Sequence, residues 1–213
     1  MSLVFCDLSM SLDGYVAGPN PTLDEPLGRG GERLHEWAFR LRVFREQLGA
    51  SGGESGGPDD EVAHEWLDRS GAVVMGRRMF SGGDGPWSDD PNAGGWWGDD
   101  PPFHTPVFVV THHERDPLEK QGGTTFFFVT DGVETAVTQA RAAAGDKDVQ
   151  IGGGAAMVQQ CLQARLLDEL NIHLVPLLLG AGGVRLLDGL EPRELELTRM
   201  LESLYVTHLR YRT

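Results

Sequence analysis

"VQIGGGAAMV", residues 149–158, places three consecutive glycines between a short apolar run and a segment of helix-forming residues. Glycine at a helix start costs about 1 kcal/mol per residue relative to alanine. Bare backbone here serves one of two ends. It lets a pyrophosphate lie against the amides of a helix N-terminus, or it makes a tight strand-to-helix turn. Both readings make this stretch a β–α junction, and such junctions recur along the chain.

Upstream, "AVVMG" (72–76), "PVFVV" (106–110) and "TTFFFV" (124–129) read as buried strands. "DDEVAHEWLDR" (59–69), acidic in its first turn, and "VETAVTQARAAAG" (133–145) read as helices. Leu34, Trp37, Leu41, Phe44 and Leu48 recur at helical spacing, which predicts one helix over 31–48. The N-terminal strand pattern closes on an Asp13-Gly14 turn signal. Downstream, 168–180 alternates as a strand, and 194–201 with 204–212 reads as a C-terminal hairpin. The order predicts an α/β fold, a mostly parallel sheet with antiparallel strands at its C-terminal edge. A single domain over 1–213 is expected, with a flexible Gly-rich insertion near 49–60. Ligands of such sheets bind beyond the carboxyl ends of the strands. Residues 77–82, 111–113 and 152–157 should therefore gather on one rim.

The formal charge of −14 over 213 residues argues against nucleic acid and anionic membranes as partners. Basic residues beside glycines gain weight in so acidic a chain. Cys6 and Cys161 both sit in apolar patterns and read as buried free thiols. "MSLVFCDLSM" has neither a basic segment nor a long apolar run, so a cytoplasmic protein is expected.

Three signals carry chemistry. After "VQI", Gly152 and Gly154 fill two places of a dinucleotide fingerprint, but the third falls on Met157, and no Walker-type Lys-Ser/Thr follows. In "VVMGRRMF" (73–80), Gly76 bares the strand end, and Arg77 and Arg78 follow with guanidinium groups suited to phosphate. In "VFVVTHH" (107–113), Thr111, His112 and His113 end a buried strand, where a ribose phosphate would sit. His104, His112 and His113 lack a carboxylate or Cys at ligand spacing, so no metal site is expected. Trp87, Trp96 and Trp97, in the Gly/Pro/Asp-rich stretch 82–102, suggest a ligand lid or a partner surface.

"VVMGRRMF", "VTHH" and "IGGGAAM", in that order, resemble the dihydrofolate reductase superfamily. "SLDGYVAG" and "GGERLHEWAF" resemble its branch formed by the C-terminal reductase domain of the bifunctional riboflavin biosynthesis deaminase-reductase, as a standalone member. The resemblance runs from about residue 3 to 212. It implies a three-layer dihydrofolate reductase-like fold, NADPH as cofactor, and hydride transfer to a small heterocyclic or carbonyl substrate, as in 5-amino-6-(5-phosphoribosylamino)uracil reductase. It also implies cofactor contacts by Gly76, Arg77, Arg78, Thr111, His112, and Gly152, Gly153, Gly154, Ala155, Ala156 and Met157. Asp13, with Val16 and Ala17, falls on the rim beside the nicotinamide and substrate, and Asp13 is the candidate catalytic residue. A homodimer is expected from the apolar C-terminal strands.

The chain departs from that branch at two places. Ile151 stands where riboflavin-pathway reductases carry Glu before the glycine pair, and Tyr15 stands where they carry a basic residue. The acid of folate reductases finds three candidates, Asp60, Glu61 and Glu65, on the helix before "VMGR". The alternatives are a nucleotide-binding protein of the same fold without the riboflavin-pathway activity, and a flavin-type cofactor in place of NADPH.

Overall fold

Ala72 to Met75 have almost no exposed surface, as a strand covered on both faces requires. The computed structural model describes every residue except Met1 and Leu23. Its elements are β1 (Val4–Ser11), β2 (Tyr15–Ala17), α1 (Glu36–Phe39), α2 (Arg42–Gln47), α3 (Pro58–Arg69), β3 (Ser70–Gly76) and α4 (Arg77–Ser81). Then come β4 (Pro106–Val110), β5 (Leu118–Glu119), β6 (Thr125–Val129), α5 (Val133–Ala143), β7 (Asp148–Gly153) and α6 (Ala155–Gln163). The chain ends with β8 (Glu169–Val175), β9 (Val184–Arg185), β10 (Glu196–Glu202) and β11 (Thr207–Arg212). Two compact units divide these: Met1–Cys6 with Ser70–Asp168, and Asp7–Arg69 with Glu169–Thr213. Sequence patterning shows no such boundary, because each unit is assembled from separated stretches.

In the first unit β7, β3, β4 and β6 are parallel neighbours in that order, with β5 antiparallel at the far edge and the start of β1 beside β7. Val73, Met75, Phe80, Val107, Val109 and Phe126 form one of its buried clusters. In the second unit β8, β11 and β10 are antiparallel, and the rest of β1 lies beside β8. Its core gathers Leu34, Trp37, Leu41, Ala63, Val175 and Val206. This is the mixed α/β class with a mostly parallel sheet and antiparallel strands.

The helix expected over 31–48 is broken. A 3-10 turn covers Gly31–His35, α1 and α2 follow, and Leu41 between them is extended (φ −75°, ψ 140°). The cause lies in the Gly-rich stretch. Glu54 returns to this point, accepting from the Arg42 amide (2.8 Å) and donating to the Arg40 carbonyl (2.8 Å). These bonds take backbone groups that a continuous helix would use. Leu34, Trp37 and Leu41 still reach the core, so the apolar spacing held while the helix did not.

Candidate dinucleotide-binding site

Within the first unit the parallel register sets three strand ends level. Met75 pairs with Gly153 across β3 and β7, and Gly76 pairs with Val110 across β3 and β4. Gly76, Gly154 and Thr111 therefore leave the sheet side by side. The chain order reverses here, since β4 lies on one side of β3 and β7 on the other. That is the topological switch point at which open α/β sheets take ligands.

The three glycines have different reasons for lacking a side chain. A Cβ on Gly152 would meet Val73 Cγ1 at 3.1 Å, a packing constraint. Gly153 has φ 118°, which favours glycine. Gly154 has φ −72° and ψ −166°, ordinary for any residue, and a Cβ there would meet no atom within 4 Å. Gly76 is similar, with φ −81° and its nearest neighbours, Gly153 O and Met157 Cε, at 3.9 Å. The peptide joining Gly153 and Gly154 is cis. Two adjoining glycines thus face room that a methyl group would fill, a cradle suited to a group that approaches backbone closely.

Gly154 also caps α6 without a side-chain hydrogen bond. Its carbonyl accepts from Met157 (2.9 Å) and Val158 (3.3 Å), which leaves the amides of Ala155 and Ala156 at the helix tip. No acidic residue stands in the first turn, so the positive end of the helix dipole is unopposed there. Ala155 and Met157 are buried and pin the helix, while Gly154 and Ala156 are exposed.

The paired arginines separate. Arg77 is 6% exposed and its Nη2 is ion-paired with Asp90, which also accepts from Ser81 Oγ (2.7 Å). Burial works to raise the Asp90 carboxyl, but the bonds from Ser81 and Arg77 outweigh it and hold it below the usual range. The Trp87 ring lies 3.6 Å from the Arg77 guanidinium, and Arg115 lies 4.9 Å from the same ring. Burial, and then the charge of Arg77, push Arg115 down. Arg77 is thereby an anchor for the 82–102 stretch. Arg78 is the exposed one of the two, and it is paired with exposed Asp84.

The tryptophans expected to form a ligand lid or a partner surface pack into the same unit. Trp87 Nε1 donates to the His113 carbonyl (2.9 Å), Trp96 Nε1 donates to the Met79 carbonyl (2.7 Å), and Trp97 stacks edge-on against Phe103. Thr111 is buried, its hydroxyl accepting from the His113 amide (3.2 Å), while His112 is exposed. Among the described residues no group of His, Cys, Asp or Glu has metal-binding geometry, and no helix is long and apolar enough to cross a membrane.

In the second unit, Asp13 closes the turn after β1. Its two carboxylate oxygens accept from the amides of Leu179 (3.1 Å) and Gly180 (2.8 Å). A hydrogen bond from Ser11, helped by those amides, lowers its carboxyl to about 2. Val16 is buried and Ala17 half-buried on β2, which pairs with β9. Tyr15 lies under the Arg185 guanidinium at 5.1 Å.

A profile of the RibD C-terminal domain matches residues 2–208. The chain belongs to the RibD C-terminal domain family. Among solved structures it is similar to a Shewanella sp. PV-4 protein ascribed to riboflavin biosynthesis, at 22% identity and TM-score 0.63, covering 100% of this chain and 98% of that one. It is also similar to the Thermotoga maritima diaminohydroxyphosphoribosylaminopyrimidine deaminase/5-amino-6-(5-phosphoribosylamino)uracil reductase (15%, TM-score 0.55, 99% of this chain and 56% of that one). Riboflavin Biosynthesis Reductase Rib7 of Saccharomyces cerevisiae gives 12% and TM-score 0.50, over 99% and 89%. These likenesses establish the RibD-like fold. Among curated proteins, none matches the sequence.

The residues of this RibD-family chain that the sequence does not single out are Asp59, His173 and His208. Of the acids on α3, Glu61 and Glu65 hold Arg199, and Asp60 accepts from the Gly56 amide (2.8 Å). The buried one is Asp59, bonded to His208. His173 and His208 were invisible because each stands alone in an apolar strand pattern, and only β8–β11 pairing joins them.

Proposed function

We propose that the chain is an NADPH-dependent reductase of the riboflavin or pterin type, like 5-amino-6-(5-phosphoribosylamino)uracil reductase. The observation that carries this is the pair of adjoining glycines, Gly76 and Gly154, with room for side chains and no conformational need to lack them. Family membership points the same way. The residues that would hold the cofactor are Gly76, Gly152 to Met157, Thr111, His112 and Arg78. Amides of Ala155 and Ala156 and the α6 dipole suit the diphosphate. Arg78 and His112 suit a ribose 2′-phosphate, favouring NADPH over NADH. Arg77 acts indirectly, by fixing the chain that leaves β3. When bound, NADPH supplies the hydride.

Asp13 holds the turn that bears Tyr15, Val16 and Ala17. With both oxygens engaged and its carboxyl near 2, it positions the rim and does not donate the proton. That engagement, with Ile151 and Tyr15 at the departures from the riboflavin-pathway pattern, favours a second reading: a dinucleotide-binding protein without that activity. Exposed Leu197 and Met200 on β10 support the homodimer, which sedimentation tests.

Titration with NADPH and NADH, followed by tryptophan fluorescence, tests the first step. Tight, NADPH-selective binding is expected. Turnover of the phosphoribosylaminouracil substrate then separates a reductase from a binding protein. Absence of binding to either dinucleotide overturns both readings.

A further inference from the structure

His173 on β8 and His208 on β11 are cross-strand partners, and both are buried. Their Nδ1 atoms stand 2.9 Å apart. The outer nitrogens face carboxylates. His208 Nε2 lies 2.9 Å from Asp59 Oδ1 of α3, and His173 Nε2 lies 3.4 Å from Asp7 Oδ1 of β1. Trp37 closes the assembly, its ring 4.9 Å from His173 and 5.0 Å from His208. Trp37 is itself fixed by Nε1 donating to Ser9 Oγ (2.9 Å).

Four ring nitrogens in this arrangement fix a proton count. His208 Nε2 is hydrogen-bonded to Asp59, and His173 Nε2 stands within ion-pair distance of Asp7 without a hydrogen bond; a carboxylate before each favours an N–H there. An Nδ1–Nδ1 contact of hydrogen-bond length holds one proton. With none, two lone pairs confront each other; with two, the N–H groups collide. The sum is three protons on two imidazoles, one positive charge between two buried aspartates.

We infer that His173 and His208 form a one-proton lock that joins α3, β1, β8 and β11 while it holds three protons, and that a fourth proton opens it. The second unit thereby carries an acid-sensitive switch.

The charged surroundings fit. Asp7 Oδ2 also accepts from Asn171 Nδ2 (3.2 Å), and Asn171 Oδ1 accepts from Arg210 Nε (3.0 Å). Arg210 continues to Glu65 (2.6 Å), which shares Arg199 with Glu61. Burial, and then the charge of His173, push His35 down to about 4 against a hydrogen bond at Gly31. Burial and then His173 push His208 down as well, the direction that refusal of a fourth proton requires. A cavity of about 20 Å³ bordered by Asp7, Asn171, His173 and His208 has room for one water. Because only the fourth proton is refused in the folded state, the unfolded chain binds that proton first. The lock's contribution is greatest near the ordinary histidine pKa, where the unfolded pair also holds about three protons, and is lost as pH falls below it.

The test is long-range proton–nitrogen NMR of the imidazoles in the ¹⁵N-labelled full chain, from about pH 8 to pH 5. The expected result is one proton coupled to both Nδ1 atoms, with N–H at both Nε2 atoms. Two neutral imidazoles, or two that titrate independently as ordinary histidines, would overturn the lock. Hydrogen exchange, corrected for intrinsic rate, reads the switch. Amides of the β8–β11 ladder should lose protection about tenfold per pH unit below about pH 6, beyond any change in β3–β4. Protection independent of pH would overturn the switch. His208→Gln should abolish that excess acid-dependent loss; should the variant fail to fold, the spectra and exchange of the unaltered chain decide.

Discussion

Met75 and Gly153 face each other across the β3–β7 ladder, and this one register places Gly76 beside Gly154. The cradle follows from that pairing. A slip of one residue would turn alternate side chains into it.

Gly154→Val tests the cradle. A side chain there meets open space in the protein, so unfolding free energy should fall by no more than about 1 kcal/mol, the cost of a β-branched residue at the α6 cap. NADPH affinity should fall at least about tenfold, roughly 1.4 kcal/mol, measured by fluorescence titration. Unchanged affinity would remove the diphosphate from this place. Gly82→Ala is the contrast: with φ +81° and the Trp96 ring 2.8 Å from its Cβ position, it should destabilise and leave the amides of α6 alone.

Arg77→Ala and Arg78→Ala should separate stability from binding. Removing Arg77 leaves Asp90, buried at 3% side-chain exposure, without its cationic partner though still bonded to Ser81, a loss of about 3 kcal/mol in chemical denaturation. Removing exposed Arg78 should leave stability nearly unchanged. It should weaken NADPH more than NADH and flatten the salt dependence of binding.

Asp13→Asn should raise KM more than it lowers kcat, because the lost contacts are those holding Leu179 and Gly180. With its carboxyl lowered to about 2 from 3.8, Asp13 contributes stability that is complete above the unfolded value and is lost as pH falls towards 2. The pH profile of kcat/KM between about pH 5 and 9 should therefore carry no limb from this residue. A limb that disappears in the Asn variant would restore Asp13 as an acid.

His35→Gln should move acid unfolding to lower pH. Native His35 stays neutral down to about 4, while the unfolded chain takes up that proton near the ordinary value of about 6.5. Stability from this residue is present above that value and is lost below it. An unchanged acid midpoint, followed by circular dichroism, would show that His35 is solvated.

Local pattern made the strands at 106–110 and 125–129 legible, because four or five apolar residues in a row have few ways to be buried other than in a covered strand. The β7–α6 junction was legible for the same reason, although β7 runs on through Gly152 and Gly153 and the helix waits for Ala155. The break at Leu41 was not legible: the competing hydrogen bonds come from Glu54, which has no local signature.

The sequence by itself determined the class of fold, the β–α junctions and the glycine and arginine segments of the candidate site. These depend on periodicity and on backbone properties that each residue carries with it. Tertiary structure alone decided that Arg77 is spent on Asp90 while Arg78 is exposed, that Asp13 ties a loop, and that two histidines thirty-five residues apart share one hydrogen bond. A charge has no fixed role until its partners are known. Those partners arrive from distant chain through burial and register, where desolvation makes a single neighbour decisive.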